Sequence, residues 1–185
     1  MKADLGENAF RKERRFYGSH LWVEKIEDGR VRIGFDPFAA KLVGCPMSVV
    51  FSPVGTLVKK DTPGCWLLDE SGTIPVKMPV TGRVRRFNTE LSVWPGLLSS
   101  DPYERGWLME VSVTDPTELK GLLSAAEMHR RTEDDWKRIE RKVTEVLVTE
   151  ADSVGPTLQD GGEPVTDLRK ILGPRRHRQL VLDIL

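Results

Sequence analysis

The residues able to do chemistry are few and scattered. His20, His129 and His177 show no spacing that suggests a metal site or a proton relay. Cys45 and Cys65 are too few for a disulfide framework and too far apart for a close metal pair, so two buried, reduced thiols are expected. Asp69 and Glu70 are neighbouring carboxylates at a turn, a commonplace arrangement. No G-x-S-x-G elbow, phosphate-binding P-loop or G-x-G-x-x-G is present. One amine stands out. Lys77, in "DESGTIPVKMPVTG" (69–82), comes two residues before the Pro79 of a Pro-x-x-Gly. Proteins that carry a covalently attached swinging cofactor often present a lysine beside such a pattern.

The elements that must position these residues are mostly strands. From His20 to about Val113 the runs "HLWVEKI", "RVRIGF", "MSVVF", "TLVKK", "CWLLD", "TIPVKM", "GRVRRF" and "WLMEVSV" alternate or are β-branched. Gly, Pro and Asp separate them, the pattern of a small sandwich or barrel. "DPFAAKLVG" (36–44) predicts a short helix closed by glycine. A further helix is expected after Asp115, with Pro116 in its first turn. "LSVWPGLLSSDPYERGWLMEV" is irregular and aromatic-rich, and ordering it costs too much chain entropy for it to be filler.

The texture then changes. In "TEDDWKRIERKVTEVLV", Trp136, Ile139, Val143 and Val146 share one helical stripe, and Thr132 with Asp135 resembles a capping box. Residues 150–164 read as a linker. The last stretch, 165–185, carries Thr166 as a cap, a Gly-Pro break at 173–174, and apolar Leu168, Ile171, Leu172, Leu180, Val181 and Ile184. Such a stripe is expected to pack on the parent domain, with self-association as the other use of it. Arg169, Lys170, Arg175, Arg176 and Arg178 around His177 are expected to be a solvated face.

The bulk numbers narrow the classes. The chain has 185 residues, with 28 Lys+Arg against 28 Asp+Glu. Both signs are spread evenly, so there is no electrostatic case for nucleic acid as a partner. A chain of this length buries about 70% of the surface its unfolded form exposes, and needs neither metal nor disulfide to fold. The charged N-terminus has no secretory pattern, and no apolar run approaches the roughly 20 residues that span a bilayer. A cytoplasmic protein is expected.

Several motifs together resemble one family, the glycine cleavage system H protein, a lipoyl carrier. "HLWV" is similar to the family's His-x-Trp, and "RIGFDPFAAKLVG" to its helix segment, with Gly34, Ala39 and Gly44 in place. "PVTGRVRRFN" (79–88) parallels its Pro-x-x-Gly-x-Val-x-x-x-Asn. "DPYERGWL" matches its most specific motif, Pro-Tyr-x-x-Gly-Trp-Leu. The similarity covers about residues 17–129. It implies an α+β, mainly β fold: a barrel-sandwich hybrid of the lipoyl/biotinyl carrier type, with flanking helices and a C-terminal helical extension. The division is a flexible arm over 1–18, a carrier-like domain over 19–129, an amphipathic helix over 130–149, the linker, and a final helical segment.

Register within the resemblance decides the fate of Lys77. In the family the lipoylated lysine stands at a hairpin tip, about eight residues before the proline that matches Pro79. That count lands on Ser71, whose hydroxyl cannot form the amide that holds lipoate. Lys77 falls inside the returning strand. The resemblance therefore implies a non-lipoylated binding, scaffold or regulatory module, not an enzyme, with no cofactor and no metal. Its partners would be proteins, glycine-cleavage components among them, with self-association through the C-terminal helices as a further option. The alternative is a lipoyl carrier that uses Lys77 as an atypical attachment lysine. An empty cleft near Cys65 or Trp66 is a further place for a small ligand.

Overall fold

The computed structural model describes residues 10–151 and 168–185. Among the described residues there are nine strands: β1 (Arg15–Tyr17), β2 (Leu21–Lys25), β3 (Arg30–Phe35), β4 (Ser48–Phe51), β5 (Leu57–Val58), β6 (Pro63–Asp69), β7 (Gly72–Lys77), β8 (Gly82–Phe87) and β9 (Trp107–Val113). They form a six-stranded sheet in the order β1-β2-β3-β9-β8-β5 and a three-stranded sheet in the order β4-β6-β7. All of these strand pairs are antiparallel. This is the barrel-sandwich type of the lipoyl carriers, with the two sheets left open rather than closed into one barrel.

Alternation explains which face is inside. On β3, Val31 and Ile33 point into the core while Arg30 and Arg32 point out; on the smaller sheet Val49, Leu67 and Ile74 line up inward across three strands. Gly82 permits close strand approach. A methyl group there would sit 2.6 Å from the Ser112 carbonyl oxygen. Trp22 needs Gly34 in the same way, because its ring lies where a side chain on Gly34 would be.

The described residues also form four α-helices: α1 (Pro37–Val43), α2 (Leu97–Ser100), α3 (Ala125–Ala151) and α4 (Leu168–Ile184). Asp36 caps α1 by accepting from the Ala39 N–H at 2.8 Å. The helix expected after Asp115 is instead two pieces. Pro116–Gly121 is a 3-10 turn, and α3 begins only at Ala125. Its capping box is Ser124 with Glu127, whose carboxylate accepts from the Ser124 backbone at 2.8 Å. Thr132 and Asp135 are therefore interior residues of α3, and the Thr132 hydroxyl bonds back to the Met128 carbonyl at 2.9 Å.

The loose arm expected over 1–18 is ordered from Phe10 onward. Phe10, Arg14 and Phe16 are buried and β1 pairs with β2, because the arm supplies apolar cover for Trp22 and Met128. Expectations for residues 1–9 and for 152–167, the linker and Thr166 included, lie outside the described residues. The stripe of α3 packs on the core through Ile139, with Trp136, Val143 and Val146 partly buried. On α4, Leu172, Leu180, Val181 and Ile184 are buried, and Leu168 and Ile171 pack partly. The apolar face offered for self-association is thus covered by the chain's own domain. Gly173, at φ 70°, breaks α4 before Pro174.

Candidate functional site

The β6–β7 hairpin is the element to which the sequence assigns the chemistry. Asp69 pairs with Gly72, so Glu70 and Ser71 form a two-residue turn, and Gly72 directly after it sits at φ 126°, a conformation that favours glycine. Glu70 is exposed. The Ser71 backbone N–H donates to the Asp69 carboxylate at 3.4 Å, while the Ser71 hydroxyl is buried and has no hydrogen-bond partner among the described residues. Lys77 lies at the far end of β7, exposed and paired with Pro63. At 3.3 Å per strand residue it is roughly 20 Å from the turn.

α4 braces this tip. Arg169 pairs with the Asp69 carboxylate and reaches Glu70 at 3.5 Å. Arg178 donates to the Thr73 carbonyl from Nη2 at 2.8 Å and lies against Gly72. His177 is buried, and its Nε2–H donates to the Leu42 carbonyl at the end of α1 at 2.9 Å. The basic cluster is therefore not simply a solvated face. The Gly173 break turns the second part of α4 so that it lies along β7.

A second constellation escaped the sequence reading. His20 is fully buried with its backbone at φ 59°, and its Nδ1 meets Asp36 at 2.8 Å while its Nε2 meets Asp135 of α3 at 3.2 Å. Asp135 also accepts from Arg138 at 2.8 Å. Burial alone would lower the His20 pKa, but the two carboxylates outweigh it and hold the pKa above its ordinary 6.5. Burial would raise Asp135, yet the bonds from His20 and Arg138 keep it below the usual carboxylate range. Asp135 is 115 residues from His20, so no local spacing could signal the pair. With every member buried or held by α1 and α3, the arrangement is a clamp between helices rather than an open relay.

The two cysteines differ, against expectation. Cys65 is fully buried in the core and burial pushes its thiol pKa up, whereas Cys45, directly after the Gly44 that ends α1, is exposed. Cys65 therefore lines no cleft. Trp66 sits half-buried on the outer side of the small sheet, paired with Val50 and Pro75. An open groove elsewhere is lined by Cys45, Trp94, Pro95, Leu97, Ser100 and Arg105. Among the described residues no cluster of His, Cys, Asp and Glu fit to hold a metal occurs.

The aromatic-rich segment acts structurally. Trp22 Nε1 donates to the Pro102 carbonyl at 3.0 Å, and the Asn88 amide donates to the Arg105 and Trp107 carbonyls at 2.6 and 2.9 Å. The His-x-Trp, Pro-x-x-Gly…Asn and Pro-Tyr-x-x-Gly-Trp motifs thus meet in space. A family model described as "Glycine cleavage H-protein" matches residues 14–135. The chain belongs to the glycine cleavage H-protein family.

Relatives and solved structures agree. The glycine cleavage system H protein of Vibrio vulnificus (strain YJ016) is 37% identical over 127 residues, which is 67% of this chain and 98% of that protein. The one from Chlorobium phaeobacteroides (strain BS1) is 33% identical over 125 residues, 64% of this chain and 93% of the relative. A crystal structure of a glycine cleavage system H protein from Mycobacterium marinum superposes with a TM-score of 0.57 at 25% identity, covering 64% of this chain and 94% of that one. No helix among the described residues is long and apolar enough to cross a membrane. Most of α3 and all of α4 lie beyond the matched residues.

Proposed function

We propose that this H-protein relative works as a binding, scaffold or regulatory module that carries no lipoate. The observation that carries the reading is the hairpin turn itself: Glu70 and Ser71 supply no amine, and the Ser71 hydroxyl is buried beside a tip braced by Arg169 and Arg178. Lipoate requires a lysine amine on a tip that enters other proteins' sites, and these residues do not fit it. On this reading Ser71 stands where the family has its lysine, no cofactor is needed, and the partners are cytoplasmic proteins, glycine-cleavage components included. The carrier-like body and the helical extension then have separate uses, the body for binding and α4 for holding the hairpin.

A second reading is supported by the family membership and by the exposure of Lys77: a lipoyl carrier loaded at that strand residue. Co-expression with a lipoate ligase and added lipoate, followed by intact mass and peptide mapping, separates the two. An unmodified mass is expected. A lipoyl adduct on Lys77 would establish the second reading in place of the first.

A further inference from the structure

The six-stranded sheet turns a basic face to solvent on β8. Val84 points into the core, and a bulge between Val84 and Arg86 interrupts the alternation, so that Arg83, Arg85 and Arg86 are all exposed. None of the three meets a carboxylate among the described residues. Arg83 donates to the Gly55 carbonyl at 2.7 Å, Arg85 donates to the Ser112 hydroxyl at 2.8 Å, and Arg86 stacks over Trp107 at 5.2 Å. Their neighbour Arg32 on β3 also lies over Trp107, at 5.0 Å, but is paired with Glu110 at 2.8 Å.

Strand backbones and these contacts hold the guanidiniums in place before anything binds, which lowers the ordering cost of an encounter. A guanidinium fork matches a carboxylate in bidentate geometry. We propose that this face docks an acidic segment of a protein partner, with Arg83, Arg85 and Arg86 receiving its carboxylates. A nucleic acid fits less well. Trp107 is only 7% exposed and already covered by two guanidiniums, so no free ring is left for base stacking. The proposal goes beyond the non-lipoylated reading and does not depend on it, because the hairpin belongs to the other sheet.

Fluorescence anisotropy of a labelled oligoglutamate peptide with the full chain tests it. Saturable binding is expected, weakened about tenfold by the double variant Arg83→Gln/Arg85→Gln and left unchanged by Arg130→Gln/Lys137→Gln on α3. Circular dichroism checks that both variants fold. The proposal is overturned if the peptide does not bind, or if both double variants weaken binding equally. It is also overturned if an oligothymidylate of matched charge binds more tightly through the same two arginines. None of these outcomes alters the hairpin mass measurement.

Discussion

Asp135→Asn is the substitution that most directly interrogates the clamp between β2, α1 and α3. It removes one charge while keeping size, and leaves buried His20 facing Asp36 alone. Taking one member from a buried, hydrogen-bonded charge set costs about 3–5 kcal/mol, and the retained amide favours the low end. For a chain of this length about 3 kcal/mol corresponds to a fall in Tm of about 6–12 °C. The sign with pH follows from the two shifts. The raised His20 pKa contributes stability that is fully present below 6.5 and is lost as pH rises through the folded value. The lowered Asp135 pKa contributes stability present above 3.8 and lost as pH falls through its folded value. Both contributions coexist between those limits. Thermal unfolding followed by circular dichroism should therefore show the largest gap between parent and variant near about pH 5, and a smaller gap near about pH 9. An equal gap at both values, or one below about 1 kcal/mol, would refute the charged clamp.

Two further outcomes follow from packing and exposure. Iodoacetamide under native conditions should add a single label, at Cys45, because Cys65 is buried with its thiol pKa pushed up; rapid double labelling of the folded chain would contradict that burial. Gly82→Ala should cost about 1–3 kcal/mol in urea unfolding, since the Ser112 carbonyl at 2.6 Å is backbone and cannot move aside cheaply. An unchanged midpoint would mean that the β8–β9 approach is looser than described.

The strands were legible because alternation leaves a local trace: each expected run overlaps one of β2 to β9. The start of α3 was misplaced because Thr132 and Asp135 imitate a cap, while the true box at Ser124 and Glu127 lies in a run read as already helical. The stripe on α4 could be read, but the work of Arg169, Arg178 and His177 could not. Their partners Asp69, Thr73 and Leu42 are brought near only by tertiary folding. The same holds for His20, whose isolation in sequence gave no hint of two carboxylates. Cys45 was misjudged because average burial habits say nothing about a chain leaving a helix through Gly44.

The brace on the hairpin also has an order in time. Asp69 and Arg169 are 100 residues apart, so during synthesis the hairpin is complete long before the residues that hold its tip have left the ribosome. Contacts of such separation form after the local β6–β7 pairing, since closing the long loop must precede any gain from it. The young chain therefore passes through a stage in which its tip is bare, and reaching the finished fold ends that stage. Whatever meets the tip unbraced has a window set by the arrival of Arg169 and Arg178 rather than by the hairpin's own sequence.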